Sequence, residues 1–521
     1  MRTRSVSLIF FILSICLSTP VFACNSADGI PIQHHGRIKP FSAFAQETLQ
    51  FISGKDHWQR QSATSFILTN LDHPQTFLKT AFIRVDHPAL RKILGLNEQG
   101  TNASFEQIKP NVGALTSLVQ ASSEQRRKDN RPSALQQQAE TVYQRMISVQ
   151  QLISGEIITV IPVEQGAWSS PYMSTGAQAD AFKKLTHAYA GKASGLDQEI
   201  KHWITQAERS LERGMQSRIK MEAWYYKLQP FYYAWIFYLL GFVCLLIVRP
   251  LTQNLGKLLI VAGFLFHTSG LLLRWLILVR PPVANMYETM VFMDWILMVS
   301  VWVFVVLKKR TVFLSSGALV SALIMLYAKI LPVDQSLDVL APVLRSSYWL
   351  TVHVITIISS YSLFAFATAV CHRHLFLSVR GKQTIQEEQI SADTIYRLLQ
   401  AGLVALGAGT ILGGVWANEA WGRFWGWDPK ETWAFITFLG YMAILHLRHS
   451  MKLNNFALAI SGILGFLLVL MTWYGVNFVL GRGLHSYGSG SGGLTWIIYF
   501  LIFEAGFLAY VLFNKQSGKK V

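Results

Sequence analysis

Charge is what this sequence has least of. Charged side chains make up 14% of its 521 residues, against 51% hydrophobic ones, where soluble proteins carry roughly 25% charge. A chain so poor in charge is embedded in membrane over much of its length. Cysteine is scarce as well: Cys16, Cys24, Cys244 and Cys371 make no CxxC pair. That excludes a thiol relay, a cysteine zinc site and the CxxCH attachment site of a c-type haem. Acid is short relative to base, with 29 Asp and Glu against 46 Lys and Arg and a net charge of +17. The excess does not require nucleic acid. Many of the bases stand where apolar runs end, as in KKR at 308–310, RHSMK at 448–452 and KQSGKK at 515–520, which is the pattern of cytoplasmic loops.

What is present is a series of segments. The start, MRTRSVSLIFFILSICLSTPVFAC, joins a basic head to a short apolar core and small residues, and reads as a signal peptide over 1–24 or an uncleaved N-terminal anchor. Residues 25–230 are mostly polar, with helical stretches at 133–153 and 197–219, enough for one extracytoplasmic soluble domain. Within it GRIKPFSAFAQETLQFISGK predicts a short extended piece running into a helix. From 231 onward come nine apolar runs, near 233–249, 257–278, 287–307, 311–330, 350–370, 398–415, 432–447, 456–478 and 493–513, each close to the roughly 20 residues that cross hydrocarbon. The expected fold is an all-α polytopic membrane protein of about nine transmembrane helices over 231–515, preceded by an exported, mainly helical soluble domain. Basic clusters at 249–257, 308–310, 371–382 and 448–452 mark the cytoplasmic side, which puts the loops near 279–286, 331–349, 416–431 and 479–492 outside.

One outer loop is unusual. WANEAWGRFWGWDPKETWAF, residues 416–435, holds five tryptophans. An interfacial aromatic belt explains one or two per helix end, not five within 18 residues interleaved with glycine. Two histidines share that face: His353, in SSYWLTVHVITIISS, and His485, in LGRGLHSYGSGSGG. Two facing imidazoles can fill both axial positions of a haem iron. Trp421, Trp425, Trp427 and Trp433 can supply flat apolar surface, and Arg423 can meet a propionate. Asp428 before Pro429 and Glu431 also reads as the cap of the next helix, so its place in a ligand site and its place in the turn both stand open. His267 and His446 fall within apolar runs, where an ionisable group is a functional candidate; together they could hold a second haem deeper in the bilayer, or serve packing and snorkelling. His372, His374 and His449 fall in basic inner loops, where solvation suffices. Pro281 and Pro282 open the next span, and Glu288 and Asp294 are membrane-edge acids with Arg274, Arg280 or Arg423 as partners. The glycine- and serine-rich 484–493 can move as a lid.

WGRFWGWDPKETWAF, with LTVHV before it, YGVNFVLGRGLHSY after it and PPVANMYETMVFMDW upstream, resembles the tryptophan-rich WWD haem-handling domain of cytochrome c biogenesis proteins, and is most similar to the CcsA/ResC family of System II cytochrome c synthases. The resemblance covers about 231–515. It implies haem b (iron protoporphyrin IX) held outside by the tryptophan-rich loop, with His353 and His485 as axial ligands. His446, and less directly His267, would hold haem on its way from the cytoplasmic side. It also implies thioether formation between haem vinyl groups and the CxxCH thiols of an apocytochrome c, kept reduced by thiol-reducing proteins. The exported region lacks the spans of a fused ResB-like half, so a separate ResB-like membrane subunit is implied, in a bacterial inner membrane. Two alternatives remain open from the residues: a haem exporter without ligation activity, and a structural assembly protein that binds no haem.

Overall fold

The structure is a computed structural model of the chain; it describes residues 26–128, 132–163, 166–247, 249–308, 311–331, 335–337, 347–450, 452–480 and 494–517. The chain separates into two compact units, one made of residues 18–228 with 336–339 and one made of 1–17, 229–335 and 340–521.

The first unit is mainly helical. A hairpin of β1 (Pro31–His34) and β2 (Arg37–Pro40) leads straight into α1 (Phe41–Ser53), which ends on left-handed Gly54, so the extended-then-helical reading of this segment holds. Then come α2 (Ala63–Leu71), α3 (Val112–Arg127), α4 (Ala134–Ser154), α5 (Ala177–Ala190), α6 (Leu196–Glu208) and α7 (Met215–Leu228). Ser133 caps α4 in a reciprocal box with Gln136, which satisfies two backbone donors that the first turn leaves open. The stretch expected as one helix at 197–219 is two, because the chain turns between Glu208 and Met215. Phe41, Phe44, Phe66, Phe77, Phe82 and Phe182 form the centre of one apolar core. Beside it, Arg37 forks onto Glu222, while Lys39 and Tyr226 both reach Glu47. Lys39 and Glu222 are buried, where a charge depends on an opposite one close by.

The second unit is built of helices joined by turns, with no strand among its described residues. It contains α8 (Pro230–Leu246), α9 (Pro250–Leu278), α10 (Met286–Lys308), α11 (Leu314–Ile330), α12 (Ile355–Val379), α13 (Ile385–Trp421), α14 (Pro429–His449), α15 (Asn455–Leu470) and α16 (Leu494–Ser517). Two π-helical segments interrupt the regular pattern, Leu350–Val354 before α12 and Met471–Leu480 after α15. Among the described residues, eight helical stretches are long and apolar enough to cross a membrane. The seventh expected run, 432–447, lies in α14, which is not among them; Lys430, Glu431, Arg448 and two histidines dilute its hydropathy, although 21 residues would reach about 30 Å. α13 is long at 37 residues, roughly 55 Å, well beyond a hydrocarbon core of about 30 Å.

The helices form two packed groups. α8 packs on α9 and α11, and α10 on α9 and α11; α12 packs on α13 and α15, and α14 on α13 and α15; the two groups are joined where α10 and α11 pack on α12. In the second group Phe364 and Tyr441 stack with ring centres 3.8 Å apart and planes 2° from parallel, worth about 0.5–1.5 kcal/mol beyond area burial. Two expectations are corrected here. The basic segment 371–382 is helical as far as Val379, and His374 on it is fully buried rather than solvated. Pro281 and Pro282 precede α10 by several residues; the side chain of Asn285 accepts from the Glu288 amide at its start instead.

Candidate functional site

The tryptophan-rich stretch is only partly loop. Residues 416–421 continue α13, which closes on Gly422 in the left-handed region. Residues 423–427 make the turn, and α14 begins at Pro429. Asp428 caps it, accepting from the Lys430 amide at 2.9 Å, while Glu431 accepts from the amides of Gly426 and Asp428 at 2.8 and 3.1 Å. The capping read from DPKE is therefore correct, and it fixes the turn without help from a ligand. Asp428 is buried.

The turn presents its rings unevenly. Trp421, Trp425 and Trp433 are half-buried, whereas Trp427 is 67% exposed and Phe424 48%. Trp427 also has φ +55°, a conformation that costs a side-chain-bearing residue roughly 1–2 kcal/mol. Backbone outliers of this kind cluster at ligand sites. Trp425 and Trp427 meet edge to face, ring centres 5.8 Å apart. The Arg423 guanidinium lies over Gly426, where a Cβ would displace it.

His353 comes to this end of α13 from the other side. It lies in the π-helical segment Leu350–Val354, a geometry that recurs at functional sites. Its Nδ1 is 2.8 Å from the Gly409 carbonyl. A carbonyl only accepts, so Nδ1 donates and Nε2 carries the lone pair. The approach depends on glycine: a Cβ on Gly409 would stand 2.6 Å from Ile357 Cδ1, and one on Gly413 2.7 Å from His353 Cε1. Gly414, one position round the helix, admits Phe424 from the turn, with Cζ 2.7 Å from where a Cβ would be. The His353 and Trp416 rings are 5.6 Å apart. Trp349 packs on Trp416 and donates its indole N–H to Glu419 at 2.6 Å. His353 and the tryptophan-rich turn thus converge on the last three turns of α13. His485 and the 484–493 segment lie outside the described residues; the second π-helical segment, Met471–Leu480, leads directly to them. That segment is tied to α14 by Thr472, which shares a 2.7 Å hydrogen bond with Thr437 and donates to the Trp433 carbonyl, and by Lys430, which donates to Asn477 at 3.1 Å.

The two histidines expected to act as a pair stand in different helix groups. His446 on α14 is exposed, and its Nδ1 donates to the Met442 carbonyl at 2.8 Å, leaving the lone pair on Nε2. His267 on α9 is fully buried; its Nε2 donates to the Val291 carbonyl at 2.8 Å, and its Nδ1 faces Tyr238 Oη at 3.4 Å and Asp294 at 3.8 Å. Both nitrogens of His267 are turned to protein groups. Glu288 is paired as expected, with Arg274 at 2.9 Å and Arg280 at 2.7 Å. Asp294 pairs with no arginine among the described residues; its neighbour is His267. Glu419, Gly409, Gly413, Phe424 and the two π-helical segments escaped the reading of the sequence. The glycines alone left a signal, spaced four apart on one helical face.

A family model described as cytochrome C assembly protein matches residues 283–485. Protein NrfI of Wolinella succinogenes is 29% identical over 494 residues, 87% of this chain and 53% of its own length, so the chain spans about half of that relative. Cytochrome c biogenesis protein CcsA of Synechococcus sp. (strain CC9605) is 33% identical over 292 residues, 48% of this chain and 94% of its own. The protein of the same description from Manihot esculenta is 33% identical over 273 residues, covering 44% and 84%.

Proposed function

The chain belongs to the CcsA family of cytochrome c biogenesis proteins, and we propose that its membrane unit carries haem b as cargo and presents it at the C-terminal end of α13 for attachment to an apocytochrome. One observation carries the reading: His353, its tautomer set by Gly409, meets the tryptophan-rich turn on the same three helical turns. The donor set fits the cargo. A neutral imidazole offering Nε2 is an axial ligand for haem iron, and exposed indole and phenyl rings suit the macrocycle.

In this reading His353 and His485 hold the iron, and Trp421, Trp425, Trp427 and Trp433 line the ring. Arg423 meets a propionate and Asp428 holds the turn. His446, exposed with its lone pair on Nε2, receives haem on the way in. Bound haem supplies two vinyl groups; each CxxCH thiol of the apocytochrome adds across one, sulfur to one carbon and hydrogen to the other, with no net redox change. The protein's part is orientation. A ResB-like subunit and thiol-reducing proteins complete the system, in a bacterial inner membrane with the first unit and the haem site on the periplasmic side.

The test is the absorption spectrum of the purified full-length chain, alone and as His353→Ala and His485→Ala. The expected result is low-spin bis-imidazole haem in the wild type and altered ligation in each variant. An unchanged spectrum in both variants, or a wild type without haem, would refute the assignment. Co-expression with a CxxCH substrate, with and without a ResB-like partner, then separates synthase from carrier: haem retained with no covalent product leaves carriage alone.

A further inference from the structure

Four helices of the first membrane group each bring one polar side chain to a common point: Tyr238 from α8, His267 from α9, Asp294 from α10 and Ser321 from α11, all 0% exposed. Neither Asp294 oxygen nor Ser321 Oγ closes a hydrogen bond of ordinary geometry among the described residues. We propose that these four residues form an intramembrane proton-binding site, separate from the haem site, that holds one proton between His267 Nδ1 and the Asp294 carboxyl.

The argument begins with the hydrogen bond from His267 Nε2 to the Val291 carbonyl. It commits one imidazole hydrogen, so the remaining chemistry lies at Nδ1. That atom faces Tyr238 Oη at 3.4 Å and Asp294 Oδ2 at 3.8 Å. With no proton at this position, a bare carboxylate sits beside an imidazole lone pair in an apolar bundle. With two, an imidazolium sits beside a neutral acid. Each state buries an uncompensated charge, the costly case in low dielectric. With one proton the site is neutral overall, as imidazolium and carboxylate or as imidazole and carboxylic acid. Tyr238 faces Nδ1, and Ser321 lies against the carboxyl; hydroxyls both donate and accept, so they serve either arrangement and can pass the proton between them.

The same two helices carry a contrasting pair further along. Arg274 on α9 and Glu288 on α10 close at 2.9 Å, with Arg280 added at 2.7 Å. There the carboxylate is held in direct contact by two arginines. The inner pair, 3.8 Å apart, is not locked by a direct bond, so its proton is shared through the flanking hydroxyls or by a small closure of the gap.

The proposal is independent of haem, and its test uses the full-length chain in lipid nanodiscs at neutral pH. Infrared spectra in H2O and D2O are compared with Asp294→Asn, and nitrogen-15 histidine spectra with His267→Gln. The expected result is one proton per site: either an isotope-sensitive carboxylic-acid band lost in Asp294→Asn, or an imidazolium signal lost in His267→Gln. Tyr238→Phe and Ser321→Ala, which keep shape and both bases, should shift that signal without abolishing it. An ionised Asp294 beside neutral His267 would overturn the proposal, as would a signal that follows added sodium or magnesium. Altered haem ligation in Asp294→Asn would also overturn it, because the site would then belong to haem binding.

Discussion

Replacing Gly413 by alanine tests the link between fold and haem most directly. The new Cβ would lie 2.7 Å from His353 Cε1, and ordinary carbon contact begins near 3.5 Å, so the ring must retreat by roughly 0.8 Å. The Nδ1–H···O=C bond to Gly409, now 2.8 Å, then stretches past the range of a hydrogen bond. Losing that bond costs about 0.5–1.5 kcal/mol, and pushing the ring off its rotamer costs about as much again. The sum, about 1–3 kcal/mol, corresponds to a roughly 5- to 150-fold loss of haem affinity. Alanine gains about 1 kcal/mol over glycine in a helix interior, so thermal stability should change little. The assay is haem retained per purified chain, with a thermal melt of the same sample. Unchanged retention would refute the reasoning, because it would mean that the Gly409–His353 geometry does not set the ligand. A fall in stability alongside retention would point to general disruption instead.

Other perturbations follow from the same geometry. Trp427→Ala removes an exposed ring and should leave the melt unchanged while lowering haem retention roughly 2- to 10-fold, the worth of one aromatic contact; full retention would remove Trp427 from the site. Glu419→Ala strands the buried Trp349 indole donor, costing about 1–3 kcal/mol, read as a change in tryptophan fluorescence with weaker haem binding. Glu288→Gln leaves Arg274 and Arg280 buried without their counter-charge, and the melt should report a loss of about 3–5 kcal/mol. His372→Phe deprives Glu504, 3% exposed, of its 3.0 Å partner, so α16 should be cut faster by protease than in the wild type.

Much of the candidate site was legible because its signals are local. The DPKE cap needs only four residues in a row, and the structure builds it as the spacing demands. The tryptophans announce themselves by number. Histidines were visible as residue types but not as chemical species, because a tautomer is set by whichever carbonyl the fold brings to the ring. Gly409 fixes His353, Met442 fixes His446 and Val291 fixes His267; the first is 56 residues away and the third 24. The apolar runs gave nine membrane-spanning candidates; among the described residues eight helices are long and apolar enough, and α14, which holds the run 432–447, falls short because its polar ends dilute an apolar centre. His374 was misjudged for a related reason: basic neighbours suggested a loop, but α12 continues through them and packing covers the ring.

By itself the sequence determined that this is a multi-pass helical membrane protein with a polar leading unit, and which short stretch could hold a flat ligand. Hydrophobic runs and capping residues act over neighbouring positions, so their physics is written along the chain. Tertiary structure alone decided which side chains share a point in space. It set His353 against Gly409 and Gly413, and it gathered Tyr238, His267, Asp294 and Ser321 from four helices. Those meetings depend on helix packing across dozens of residues, where close approach is permitted by an absent Cβ and buried charge is tolerated only opposite its complement.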